Sequence, residues 1–105
     1  MGQESYADQV IEKARIEREA FAMQMGLLWL WLTVEWGVEL RQSGDDLRGF
    51  SFSQKPNGWL LCVRLVQDGI PSVVYINRVY PSDCVRKLNE KWLAGTLTFF
   101  PDRYA

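Results

Sequence analysis

The sequence predicts an α+β protein: an N-terminal helix, a four-stranded mostly antiparallel meander, a second helix and a short C-terminal strand, in the order α-β-β-β-β-α-β. Three observations predict this class. The N-terminal third has apolar residues at helical spacing, a later run is apolar at every second position, and two tight-turn signals give registers that agree. The 105 residues suit a single domain over residues 1–105.

The first helix is expected to begin at Ser5, a favourable N-cap residue followed three positions later by Asp8, as in a capping box. Gly26 is expected to end it. The apolar residues that recur near a spacing of 3.6 form one stripe, with Ile11 beside it: Ala7, Val10, Ala14, Phe21, Met25 and Leu28.

A change of period follows this helix. Every second residue from Leu28 to Leu40 is apolar, which predicts a strand over 27–41 with one buried face. The first half is apolar on both faces because of Trp29 and Trp31, so a continuing helix is the alternative. Residues 42–48 are expected to form a loop.

Two turn signals define the next three strands. The four residues Lys55-Pro56-Asn57-Gly58 are predicted to join a strand around Phe50 to a strand at 59–67. Asp68-Gly69 is a type I′ hairpin signal that leads into a strand at 70–80. Both registers place the same seven residues on one buried face: Phe50, Phe52, Leu61, Val63, Leu65, Val74 and Ile76.

The C-terminal quarter predicts a helix and a last strand. The helix is expected to open at 81–83, with Gly95 as its C′ residue. A strand at 96–100 follows, stopped by Pro101. The apolar stripe of this helix is formed by Val85, Leu88 and Trp92.

The composition argues against catalysis and against a bound cofactor or metal. The chain has no histidine, which removes the commonest general base and the commonest metal ligand. Cys62 and Cys84 lie 22 positions apart and outside any C-x-x-C pair, so we expect buried thiols without zinc or a disulfide. A histidine-free enzyme would need carboxylates to converge, with Glu35, Glu39 and Asp45 as the candidates.

The location predicted from the sequence is the cytoplasm. The N-terminus is polar and acidic, unlike a signal peptide. The long apolar run at 20–40 contains Gln24 and Glu35, which a membrane span tolerates poorly. Reduced thiols are typical of the same compartment.

The second face of the central strands is the predicted binding surface. It mixes apolar side chains, Val66 and Val79 among them, with polar ones, as the centre of a protein interface does. Three alternatives are open: a helix of the same chain covers it, a partner or second copy binds it, or it stacks nucleic-acid bases. The register pairs Leu60 with Asn77 on this face. The predicted partner-binding residues are Leu60, Arg64, Val73, Tyr75 and Asn77.

The charge is unevenly divided along the chain, although the net charge is only −1. Residues 1–48 hold 9 acids and 5 bases, whereas 49–105 hold 4 acids and 7 bases. The sequence therefore predicts a non-enzymatic, self-associating protein-interaction module, a homodimer acting as a small regulator or inhibitor of the kind that phages or mobile elements encode. The alternative is a nucleic-acid-binding accessory protein that uses the basic C-terminal third: Arg78, Arg86, Lys87, Lys91 and Arg103.

Overall fold

A computed structural model of the chain describes residues 6–42 and 48–103. The predicted α+β class and element order are confirmed. The predicted N-cap Ser5 and most of the predicted loop at 42–48 lie outside the described residues. The elements are α1 (Tyr6–Leu30), β1 (Glu39–Leu40), β2 (Phe50–Lys55), β3 (Gly58–Gln67), β4 (Ile70–Val79), α2 (Cys84–Ala94) and β5 (Phe100–Pro101).

The sheet is built around β3 and is antiparallel throughout. One edge of β3 is shared by two strands, since β2 pairs with its first half and β1 with its second half. The other edge pairs with β4, which pairs in turn with β5. The two predicted registers are confirmed by four pairs: Phe50–Val63, Phe52–Leu61, Val63–Val74 and Leu61–Ile76.

Both hairpin turns form where the sequence predicts them. Asp68 and Gly69 have φ angles of 52° and 77°, the positive values that a type I′ turn requires. In the other hairpin, Gln54 pairs with Trp59 as expected. Lys55 and Gly58 also pair, so the turn itself is only two residues long rather than four.

A β-bulge interrupts the pairing of β3 with β4 where the sequence predicts a regular ladder. Trp59 pairs with Val79 and Leu61 pairs with Ile76, so Leu60 lies opposite two residues instead of one. The predicted regular pairing of Leu60 with Asn77 alone is replaced by this bulge, in which Asn77 still lies opposite Leu60.

The residues opposite the bulge position are Asn77 and Arg78, and Arg78 has a φ of 56°. One extra residue reverses the alternation of side chains beyond it. Val79, which was expected on the second face, is fully buried in the core for this reason.

The predicted strand over 27–41 was wrong, and the alternative of a continuing helix is correct. Helix α1 passes through Gly26, the expected stop, and extends to Leu30. A π-helical turn at Trp31–Glu35 follows, in which the Trp36 amide donates to the Trp31 carbonyl at 2.8 Å. Only Glu39–Leu40 remains as strand.

The alternating pattern has a helical explanation. Leu28 and Leu32 are one turn apart and both are fully buried against the sheet. Trp31 and Trp36 point toward α2, and their ring centroids lie 6.1 and 5.9 Å from that of Trp92. Because two neighbouring sides of the helix pack, apolar residues fall at positions that also fit a strand.

The core lies between one face of the sheet and the two helices. Leu88 of α2 and the C-terminal half of α1 contact the sheet from the same side. The buried core comprises Met25, Leu28, Leu32, Phe50, Leu61, Val63, Leu65, Val74, Ile76, Val79, Cys84 and Leu88, and Phe52 of the predicted set packs half-buried against it.

The C-terminal elements follow the prediction except for the last strand. A short 3-10 turn at Pro81–Asp83 leads into α2, and Gly95 ends it with a φ of 68°. The last strand was expected at 96–100 but comprises Phe100–Pro101. Pro101 pairs with Ser72 at the edge of the sheet, a position where the missing proline N–H costs least.

Candidate interaction surfaces

One end of the second sheet face is covered by the C-terminal segment of the chain itself. The Asp102 carboxylate, whose side chain is 3% exposed, lies 3.0 Å from the Arg41 guanidinium and 3.1 Å from that of Arg64. The Asp102 amide donates to the Pro71 carbonyl at 3.0 Å. Val73, on the same face, is 3% exposed. Of the predicted partner-binding residues, Arg64 and Val73 are thus engaged within the chain.

A close backbone approach positions this ion-pair cluster. Gly49 has a φ of 84°, and a Cβ atom there would lie 2.7 Å from the Cβ of Leu40. The Gly49 carbonyl accepts a hydrogen bond from the Arg64 amide at 2.8 Å, and the Arg64 carbonyl accepts one from the Arg41 amide at 2.9 Å. Glycine thus lets the start of β2 and the end of β1 meet at Arg64, which places both arginines near Asp102.

The other end of the second face is open. Leu60, Tyr75 and Asn77 line a groove of about 500 Å³ together with Lys91. Tyr75 is half exposed, and its ring centroid lies 6.0 Å from that of Phe100. The five predicted partner-binding residues therefore divide into a covered pair and an open trio.

The basic residues of the nucleic-acid alternative do not form one cluster of uncompensated charge. Arg86 pairs with Asp83 and Glu90, and the Arg86 guanidinium holds the pKa of the Asp83 carboxyl below its usual value. The Lys87 amino group donates to the Arg78 carbonyl at 2.9 Å. Arg103 lies elsewhere, beside Arg64 and Val73, and Lys91 lines the sheet-face groove.

A larger apolar surface lies on α1, on the side away from the sheet. Its side chains follow one another at intervals of 4, 3, 4, 3 and 4 residues, the spacing at which one helix packs along another. The five large ones are between 49% and 68% exposed. We call this surface the α1 seam: Ile16, Ala20, Met23, Leu27, Leu30 and Val34.

The seam runs into a groove between α1 and α2. Leu27, Leu30 and Val34 line a cavity of about 720 Å³, with Val85 and Arg86 on its α2 side. Val34 lies in the π-helical turn, and it still faces the same groove. An elongated apolar groove at helical spacing is the kind of surface into which an amphipathic helix docks.

The N-terminal half of α1 extends beyond the rest of the protein. Residues 6–23 are all exposed, and Met25 is the first buried residue of the helix. Phe21 makes the outermost ring contacts, 6.1 Å from both Phe52 and Trp59. The protein measures 62 Å along its long axis and 29 Å across. An isolated helix of this length is marginal in water, so a partner would stabilise it.

Sequence reasoning missed the α1 seam. The strand prediction for 27–41 separated Leu27, Leu30 and Val34 from the helix that carries Ile16 and Met23. The signal was present, because the 4-3 spacing continues without a break from the first helix into that segment.

The candidate catalytic carboxylates that the structure describes, Glu35 and Glu39, lie in different elements. Glu35 ends the π-helical turn and Glu39 begins β1, because the strand predicted over 27–41 is mostly helical. Asp45 lies outside the described residues. Within 6–42 and 48–103, no group of three or more Cys, Asp or Glu side chains is placed to hold a metal ion.

Neither cysteine is in a disulfide bond among the described residues. Burial raises the pKa of the Cys84 thiol to about 11, and its sulfur lies 3.1 Å from the Pro81 carbonyl oxygen. A raised pKa disfavours the thiolate, which is the nucleophilic form of cysteine. Cys84 is therefore interpreted as a small core side chain rather than a reactive thiol.

Comparison with protein-family models, curated proteins and solved structures gives no match to this chain. Within the described part of the chain, every helix is too short or too polar to cross a bilayer.

Proposed function

We propose that the protein is a non-enzymatic interaction module that binds a polypeptide through the α1 seam, acting as a small regulator in the cytoplasm. The observation that carries the proposal is the exposed 4-3 spacing of the seam and its continuation into the α1–α2 groove. Exposed apolar patches of several hundred Å² are often binding sites, and burying them contributes about 25 cal/mol per Å².

The cytoplasmic location rests on the two cysteines. Cys84 is buried, and neither cysteine forms a disulfide among the described residues. Proteins of reducing compartments typically keep such thiols.

The seam supports protein binding better than the open end of the second sheet face does. That end offers Leu60 and Tyr75 beside the polar Asn77 and Lys91. The seam offers five large apolar side chains in one row, with arginine and glutamine at its margin. Apolar cores with polar rims are typical of protein interfaces.

Photo-cross-linking in the cells of origin tests this proposal. A benzoylphenylalanine at position 27 is expected to yield a covalent adduct with a polypeptide. The same probe at Asn57, an exposed residue of the β2–β3 turn, is the matched control and is expected to yield none.

A third probe at Tyr75 separates the two surfaces. Adducts at Tyr75 with none at position 27 would contradict the seam and favour the sheet face. The absence of polypeptide adducts at all three positions would contradict the proposed function.

A further inference from the structure

We infer that the occupant of the α1 seam is the α1 seam of a second copy of this chain, running antiparallel. This inference rests on the proposed function. It explains why the helix extends past its own sheet, because each projecting half would lie on the groove of the other copy.

The seam is complementary to itself when reversed. Its residue spacing reads 4, 3, 4, 3, 4 in either direction, so a two-fold axis at position 25 brings every member opposite another. In this pairing two of the three kinds of layer join two large side chains, and the third joins the small Ala20 to a leucine. The layers are Ile16 with Val34, Ala20 with Leu30, and Met23 with Leu27, each formed twice.

The area is sufficient for a stable dimer. Five large side chains that are about half exposed or more offer on the order of 500 Å² of apolar surface per copy. Two copies would therefore bury roughly 1,000 Å² in total, the lower bound for a specific interface.

The flanking residues favour the antiparallel arrangement. In a parallel pairing, Glu12 of each copy would lie beside Glu17 of the other, which places like charges together. In the antiparallel pairing, Gly26 faces Gly26 of the second copy. A Cβ atom at Gly26 would meet no atom within 4 Å in the single chain, so the site is open to a close helix approach.

Sedimentation equilibrium of the purified full chain tests the inference. The wild type is expected at twice its 12.2 kDa chain mass at micromolar to sub-millimolar concentrations. Leu27→Glu combined with Leu30→Glu is expected to raise the dissociation constant by about 100-fold or more, since four carboxylates would enter the apolar layers.

Two further variants distinguish weakened association from a loss of folding. Ile16→Glu changes a 53% exposed residue on the projecting half of α1 and is expected to weaken the dimer by at least about tenfold. Ile70→Glu, at a 60% exposed residue of the β3–β4 hairpin, is the control and should leave the mass unchanged.

Cysteine cross-linking tests the direction. A tagged Ala20→Cys chain mixed with an untagged Leu30→Cys chain should form a mixed disulfide on oxidation, whereas the wild type with its native cysteines should not cross-link. Cross-linking of Ala20→Cys to itself in preference to the mixed product would overturn the antiparallel pairing.

The two proposals fail differently. A monomeric wild type, or a dimer whose mass is insensitive to the seam variants, would overturn this inference. Protein binding through the seam would still stand if the probe at position 27 captured a different polypeptide in the cell.

Discussion

The Asp102→Ala variant is expected to unfold with a free energy about 2–4 kcal/mol below that of the wild type. The Asp102 carboxylate is almost fully buried between Arg41 and Arg64. Removing it leaves two partly buried guanidinium groups without this counter-charge. Both arginines keep some contact with water, at 27% and 20% side-chain exposure, which holds the loss below that of a fully buried pair.

Urea unfolding followed by circular dichroism measures this loss, with Glu90→Ala as the matched control. Glu90 pairs with Arg86 on an exposed helix face, so its loss should cost only about 0.3–0.5 kcal/mol. Equal losses for the two variants would show that the Asp102 cluster does not hold the C-terminal segment on the sheet.

The second large effect separates two adjacent leucines of α1. Leu28 is fully buried against the sheet, whereas Leu27 is 49% exposed on the α1 seam. Leu28→Ala is expected to cost about 2–5 kcal/mol of folding stability through lost burial and the cavity it leaves. Leu27→Ala should cost about 0.5 kcal/mol or less, measured where the chain is monomeric.

In an association assay the order should be reversed, with Leu27→Ala weakening the dimer more than Leu28→Ala does. Leu27→Ala removes a central layer of the proposed dimer, and Leu28 faces the other way. If Leu27→Ala destabilised the monomer as much as Leu28→Ala, the seam would belong to the fold rather than to an interface.

The parts of the fold that could be predicted from the sequence are those set by local chemistry. The Asp68-Gly69 turn fixes a register by backbone conformation alone, and the turn at Pro56-Asn57 does the same. Because side chains alternate strictly along a strand, the two registers were enough to identify the buried face.

The parts that were missed depend on distant contacts. The bulge opposite Leu60 places Arg78 at a positive φ, a conformation that no glycine signals there. The cluster around Asp102 joins residues 38 and 61 positions apart, which no local pattern reveals. The same cluster shows that Arg64 and Val73 are covered by the C-terminal segment and not by a helix.

The error at 27–41 had the largest consequence for function. An alternating apolar pattern predicts a strand only when one side is buried, and α1 packs on two sides through Leu28 and Trp31. Reading that segment as helix joins it to Ile16 and Met23 and makes the seam visible.

Amide hydrogen exchange of residues 6–23, measured at two protein concentrations, tests the central claim most directly. These residues are exposed in the single chain, so their amides should exchange rapidly when the protein is dilute. At high concentration, the seam of a second copy should slow exchange over the part of α1 that carries Ile16, Ala20 and Met23. Exchange that is unchanged between the two concentrations would contradict association through the α1 seam.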